Sequence, residues 1–197
     1  MAHDTPPTGV ALIELFESCG ALRRGHFRLS SGLHSPAYVQ CALLLEQPQR
    51  ARAMGRALAE RLRAHRVESV LSPALGGVVI GHETASALGV PFRFAERGEG
   101  GAMTLRRGFA LRPSERVAVV EDVVTTGKST RETAELAKGS GAQVVAIGSI
   151  LDRSGGRNGF EVPYEALAAL DLPAYSGESC PLCAAGGVAE KPGSRPG

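Results

Sequence analysis

The segment Val117-Ala-Val-Val-Glu121-Asp122-Val-Val-Thr125-Thr126-Gly127-Lys128-Ser129-Thr130 constrains this 197-residue chain more than any other stretch. Its branched apolar start predicts a buried strand. The strand runs into two adjacent carboxylates, then a hydroxyl-rich loop with one glycine, then a helix whose opening Ser129-x-x-Glu132 spells a capping box. Such a turn is a phosphate cradle: the first amides of a helix lack partners, its dipole presents positive charge, and Thr125, Thr126 and Ser129 add hydroxyl donors. Gly127 lets the backbone come close to an anion. A triphosphatase P-loop would need glycine where Asp122 stands, so that reading fails. A purely structural turn would leave Glu121 and Asp122 side by side with nothing to offset their repulsion. Paired acids beside a phosphate loop instead suit a ligand with vicinal hydroxyls a few ångströms from a phosphate: a ribose 5-phosphate.

Around this segment, short apolar runs alternate with helical patterns from residue 67 onward, the signature of a parallel sheet with crossover helices. Strands are expected at Val67 to Leu71, Pro91 to Phe94, Val117 to Val120 and Val144 to Leu151. The intervening helices are expected at Val78 to Leu88 and Ser129 to Lys138. Upstream, residues 10 to 19 read as a helix closed by Gly20. A hairpin-like stretch follows, turning at Ser30-Ser31-Gly32, and residues 49 to 64 form an amphipathic helix with Arg52, Arg56 and Arg63 on its solvated side. Glu96 to Arg107, with Gly98, Gly100 and Gly101, breaks the pattern and predicts a mobile loop. The last twenty or so residues, rich in Gly, Ala and Pro, carry little structural signal.

Composition bounds the function. Apolar residues make up 43% of the chain, enough for the full core of one domain. Twenty-two Lys+Arg against twenty Asp+Glu leave a formal charge of +2, too balanced for a nucleic-acid arm or a membrane-surface patch. No apolar run approaches the roughly 20 residues of a membrane span, and Met1 to Gly9 lacks a signal-like pattern, so a cytoplasmic location is expected. Cys19, Cys41, Cys180 and Cys183 are too few for a disulfide framework. Cys180-Pro-Leu-Cys183 has the spacing of half a zinc site, yet no second cysteine or histidine pair accompanies it at ligand spacing. Two plain thiols in a C-terminal turn are therefore the preferred reading, with zinc and redox chemistry as alternatives.

Residues 121 to 129 resemble the phosphoribosyl-pyrophosphate motif of the type I phosphoribosyltransferases. Further segments resemble the orotate phosphoribosyltransferase family: Phe27-Arg-Leu-Ser-Ser-Gly-Leu-His-Ser-Pro-Ala-Tyr38, Ser72-Pro-Ala-Leu-Gly-Gly77, Gly98-Glu-Gly-Gly101 followed by Met103-Thr-Leu-Arg-Arg-Gly-Phe109, and Leu151-Asp-Arg153. Together they cover roughly residues 10 to 155. Cys180-Pro-Leu-Cys183 and Lys191-Pro-Gly-Ser are similar to tails in one branch of that family. The resemblance implies an α/β fold, a parallel sheet flanked by helices. A small hood would form from about residues 1–45 plus the C-terminal segment, over a core at about 46–155.

The same resemblance implies that Glu121, Asp122, Val123, Val124, Thr125, Thr126, Gly127, Lys128 and Ser129 bind the ribose and 5-phosphate of phosphoribosyl pyrophosphate. Ala74, Leu75 and Gly76 would hold the pyrophosphate, with Gly76 and Gly77 exposing backbone amides, and Thr125 and Arg153 would contact orotate. An arginine fork matches a carboxylate; the competing role for Arg153 is an ion pair with Asp152. Magnesium is expected as cofactor, held mainly by substrate and water, with Glu121, Asp122 and Arg97 as the catalytic residues. A homodimer is implied, loop 96–107 reaching into the neighbour's site. Many family members carry lysines in the pyrophosphate loop, the mobile loop and the Ser-Gly turn, whereas this chain has only Lys128, Lys138 and Lys191. Gly76 and Ser30 stand at two of those positions and Ala95, Glu96 and Arg97 begin the mobile loop. Arg97, Arg106 and Arg107 are the nearby cations, Arg97 the first choice. Two other readings are a phosphoribosyltransferase for another base and a nucleotide-sensing, RNA-binding regulator on the same fold. Met103 to Phe109 and Arg153 speak against the first, low charge and few aromatics against the second.

Overall fold

The computed structural model describes residues 7–29 and 31–192; Ser30 of the expected turn, Met1 to Pro6 and the end of the Lys191-Pro-Gly-Ser tail lie outside the described residues. Helix α1 (Gly9–Ser18) buries Leu12 and Phe16, one turn apart. It leads into an antiparallel hairpin of β1 (Leu22–Arg28) and β2 (His34–Val39), whose register shifts between Arg24 and Phe27. After the short α2 (Cys41–Leu45), α3 (Pro48–Leu62) starts on a proline, which suits a first turn that needs no amide donor. Its stripe of Ala51, Met54, Leu58 and Leu62 is buried while Arg52, Arg56 and Arg63 stay exposed, as the periodicity predicts.

The core is a six-stranded sheet ordered β5-β4-β3-β6-β7-β8. Its strands are β3 (Ser69–Pro73), β4 (Phe92–Arg97), β5 (Met103–Leu105), β6 (Arg116–Val124), β7 (Gln143–Asp152) and β8 (Tyr164–Ala169). All neighbours pair in parallel except β4 and β5. Period-two alternation sorts the buried side chains of β6: Ala118 and Val120 join the cluster with Met54, Leu58 and Ile80, whereas Val117 and Val119 pack with Ala137 and Ala134. So α3 and α4 (Gly77–Leu88) cover one face and α5 (Lys128–Gly139) the other. Because β3, β6 and β7 are parallel neighbours, the segments that follow them all leave from one edge. The chain winds one way from β3 to β4 and the other way from β6 to β8, which opens a crevice between β3 and β6.

Four expectations are corrected. The 96–107 stretch is not a loop throughout: β4 runs to Arg97 and β5 pairs back on it, Arg97 opposite Met103 and Ala95 opposite Leu105. Only Gly98 to Ala102 forms the tip, with Gly100 and Gly101 at positive φ. No capping box forms, because Gly127, at φ +72°, takes the N-cap position and puts Ser129 inside α5. The core sheet passes the expected limit at 155, since β8 completes it. Finally, the C-terminal segment is ordered. Tyr175 exchanges backbone hydrogen bonds with His34, α6 (Pro181–Ala184) follows, and Glu190 bridges to Phe27. This folding brings Cys180 and Cys183 to His26 and His34, the second ligand pair that was not seen in the sequence. Among the described residues no helix is long and apolar enough to cross a membrane.

Contact between α3 and α4 depends on Gly55. A Cβ there would lie 2.6 Å from the backbone carbon of Glu83 and 2.8 Å from its oxygen, and backbone cannot swing away. Gly55→Ala is expected to lower unfolding stability by about 1–3 kcal/mol despite the better helix propensity of alanine. Urea titration of both proteins reads this directly; an unchanged or raised midpoint would show that the two helices separate without strain.

Candidate active site

The acids sit in β6 itself, which continues to Val124 rather than ending at them. Alternation starts Asp122 toward the α4 face and Glu121 toward the α5 face, yet Glu121 Oε1 returns to accept from the Asp122 amide at 3.2 Å. Asp122 Oδ1 accepts from the Val123 amide at 2.8 Å. Both carboxyls are pressed against the turn after β3, where the Ala74–Leu75 peptide is cis. A Cβ on Gly76 would lie 2.9 Å from both Asp122 carboxylate oxygens, and one on Gly77 would lie 3.1 Å from Glu121 Oε1. Among the described residues no Lys, Arg or His forms an ion pair with either acid. Burial, and then the charge of Asp122, push the Glu121 carboxyl up to about 9; burial raises Asp122 as well. The pair thus holds a proton near neutrality and is poised to give it up to a cation.

Past the acids, residues 123–130 curl around a small cavity of about 60 Å³. Thr126 Oγ1 accepts from the Lys128 amide at 3.3 Å, and Arg131 braces the loop from outside by donating to the Thr126 and Asn158 carbonyls. Gly127 is obligatory twice over. Its φ is left-handed, and a Cβ would lie 2.9 Å from Arg131 Nη1 and 3.0 Å from the Asn158 carbonyl oxygen.

Beside this loop opens a cleft of about 890 Å³. Thr125, Thr126 and Arg153 line one wall; Arg28, Leu29 and Tyr38 of the hairpin line another, with Asp171 to Ala174 and Lys191 from the C-terminal segment. Arg153 does not pair with Asp152, whose Oδ1 instead accepts from the Ser154 amide at 2.7 Å. Its Nε is buried without a partner, and burial pulls its guanidinium pKa below the ordinary value. Arg153 as a whole is half-buried, and a partly desolvated arginine with no acid beside it suits an anion. Arg28 and Arg157, which also reach this cleft, were not singled out in the sequence. Nothing in spacing separates them from the many surface arginines.

The structure does not bring Arg97 to the acids. Arg97 donates to Glu132 of α5 at 2.7 Å and to the Gly101 carbonyl at 2.6 Å, and Arg107 pairs with Glu96 at 2.8 Å. Among the described residues Arg106 forms no ion pair.

Comparison with known proteins agrees with this geometry. The phosphoribosyl transferase domain family matches residues 42–159. The chain is 56% identical over 182 residues to orotate phosphoribosyltransferase of Thermotoga petrophila, covering 92% of this chain and 97% of that protein. It is 50% identical over 186 residues to that of Carboxydothermus hydrogenoformans, covering 93% and 97%. Among solved structures, orotate phosphoribosyltransferase from Aeropyrum pernix superposes with a TM-score of 0.68 at 27% identity, covering 81% of this chain and 93% of that one.

The acid pair has a thermodynamic signature. Glu121 titrates near its ordinary 4.5 when unfolded and near about 9 when folded, so between these values the folded state binds more protons. Stability therefore falls as pH rises through that window. In Glu121→Gln that contribution disappears, and the drop in melting temperature between about pH 5 and about pH 9 should be smaller than in wild type. Equal drops in both proteins would show that the pair does not titrate there.

Proposed function

The chain belongs to the orotate phosphoribosyltransferase family, and we propose that its residues divide that reaction along the shared edge of β3, β6 and β7. The enzyme transfers ribose 5-phosphate from phosphoribosyl pyrophosphate to a ring nitrogen of orotate, giving orotidine 5'-phosphate and pyrophosphate. Breaking the anomeric C–O bond leaves positive charge on the sugar and adds negative charge to the pyrophosphate. Glu121 and Asp122 accept hydrogen bonds from the ribose hydroxyls and, as carboxylates, favour the cationic ring. The amides and hydroxyls of Thr125 to Ser129, at the N-terminus of α5, hold the 5-phosphate. Ala74, Leu75 and Gly76 present the amides that receive pyrophosphate.

Two carboxylates that no side-chain cation meets among the described residues fit a magnesium-bearing substrate, which they would hold mainly through ribose hydroxyls and water. Bound there, magnesium supplies Lewis-acid neutralisation of the leaving pyrophosphate. On the other side, the β1–β2 hairpin and the C-terminal segment act as a hood over the base.

The position of Arg153 carries the assignment of the base side, because it lines the cleft beside Thr125 and Thr126 and no acid of its own chain pairs with it among the described residues. Orotate supplies a carboxylate. Arg153→Ala should raise KM for orotate by at least about tenfold, ~1.4 kcal/mol, while KM for phosphoribosyl pyrophosphate stays within about twofold. With magnesium present, adenine, hypoxanthine and uracil should not be consumed. An equal loss for both substrates would return Arg153 to a role in the fold, and turnover of another base would sink the base assignment.

We further propose a homodimer in which the hairpin of β4 and β5 serves the neighbouring site. Exposed Leu75 and Val79, next to the pyrophosphate turn, support an interface there. Arg97 is committed to Glu132 in its own chain, so Arg106 becomes the preferred cation for leaving pyrophosphate. Mixing Arg106→Ala with Asp122→Asn tests this. Each homodimer should be nearly inactive, and mixed dimers should regain up to about half of wild-type turnover, because one site then carries both defects and the other none. No recovery after demonstrated subunit exchange would place the arginine in its own subunit or outside the chemistry.

A further inference from the structure

A second constellation stands apart from the acid pair. His26 on β1, His34 on β2, and Cys180 and Cys183 around α6 bring their ligand atoms within 4.8 Å of one another. His26 Nε2 lies 2.9 Å from His34 Nδ1, 3.5 Å from Cys180 Sγ and 3.7 Å from Cys183 Sγ, and His34 Nδ1 lies 3.2 Å from Cys183 Sγ. A tetrahedral zinc ion, with bonds of about 2.3 Å to sulfur and about 2.0–2.1 Å to nitrogen, sets its ligand atoms about 3.3–3.8 Å apart. Four of the six edges of that tetrahedron are thus approached, at 2.9–3.7 Å, and the other two stay within 4.8 Å. Among the described residues no carboxylate forms an ion pair with either histidine, and both thiols are free.

The surroundings suit a metal as well. The bulge between Arg24 and Phe27 changes the register of β1 just where His26 must turn toward His34. Cys180 is buried, and the His26 ring packs against Gly187, where a Cβ would lie 3.2 Å from Nδ1. Backbone hydrogen bonds converge on the same spot: the His26 carbonyl accepts from the Glu190 amide at 2.8 Å, and the His34 carbonyl from the Tyr175 amide at 2.9 Å.

We propose that His26, His34, Cys180 and Cys183 bind one zinc ion, which pins the C-terminal segment to the β1–β2 hairpin. Two thiolates and two neutral imidazoles form a closed, four-ligand set with no position left for substrate, so the ion is structural. Binding releases the two thiol protons to solvent and changes no oxidation state. Its effect on the cleft is indirect, through Asp171 to Ala174 and Lys191, which the pinned segment carries to the wall.

Elemental analysis of the untagged protein, purified under reducing conditions and dialysed, should find about one zinc per chain. Cys183→Ser and His26→Ala should each retain less than about a tenth of that, whereas Cys19→Ser, whose thiol lies elsewhere, should retain all of it. Protein produced with cobalt in place of zinc should show the visible ligand-field bands and near-ultraviolet thiolate charge transfer of a tetrahedral site. This readout needs only wild type, so it stands even if the ligand variants fail to fold. A strong chelator should lower the wild-type melting temperature, and added zinc should restore it. Wild-type protein that takes up neither zinc nor cobalt and melts unchanged with chelator would overturn the proposal. So would full zinc retention in Cys183→Ser, or a Cys180–Cys183 disulfide in protein kept under reducing conditions.

Discussion

An electrostatic deficit organises this edge of the sheet: Glu121 and Asp122 lie side by side in a buried strand, and among the described residues no basic side chain pairs with them. Burial first, and then repulsion between the two carboxylates, push Glu121 far above its ordinary range, so the pair retains a proton. The fold tolerates this because the strand is held elsewhere, by apolar packing on both faces and by parallel ladders to β3 and β7. The tension is released only by a ligand that brings hydroxyls and positive charge. A site of this kind favours a sugar whose positive charge grows as the reaction proceeds over one that is neutral throughout.

The turns beside the acids follow from that constraint. At Gly76 and Gly77 the backbone approaches the carboxyls so closely that any side chain would have to displace them. Polar contact at this turn must therefore come from amides. Arginines stand further out, on and just after the β4–β5 hairpin. Those arginines are held against acids, Arg97 by Glu132 and Arg107 by Glu96, so the hairpin is pinned in this conformation by pairs that solvent can exchange cheaply.

Much of this was legible in the sequence, for definite reasons. Strands β6 and β7 carry long apolar runs because both faces are covered, and the acid pair and phosphate loop are contiguous in the chain. Arg153 was singled out through the resemblance of Leu151-Asp-Arg153 to the family, not through its spacing. What escaped depended on long-range pairing. Strand β8, Tyr-Glu-Ala-Leu-Ala-Ala, has no β-branched residue and is a strand only because β7 offers it an edge. Its tyrosine is fixed by a 2.6 Å contact with Ser149. Met103 to Leu105 becomes β5 for the same reason, through β4. The Ser129 and Glu132 spacing misled, because a left-handed Gly127 ended the loop two residues sooner and Arg97 drew Glu132 away.

The histidine pair shows the limit most clearly. Zinc-ligand spacing is recognisable when both members of a pair share a helix or a tight turn, but His26 and His34 sit on opposite strands of a hairpin, and only its register makes them neighbours. That placement also bears on how the base side of the cleft is built. Helix α6 has only four residues, far too few to persist unaided, and the chain around it is rich in Gly, Ala and Pro. A segment so weak in local preference cannot hold a cleft wall by propensity. It must be fastened at several points to a stiffer element, and the backbone bonds of Tyr175 and Glu190 to the hairpin bracket Cys180 and Cys183 along the segment. The geometry of the wall around Asp171 to Ala174 and Lys191 is therefore set by the hairpin, and through it by the packing of Phe27 and Ala37 in the interior.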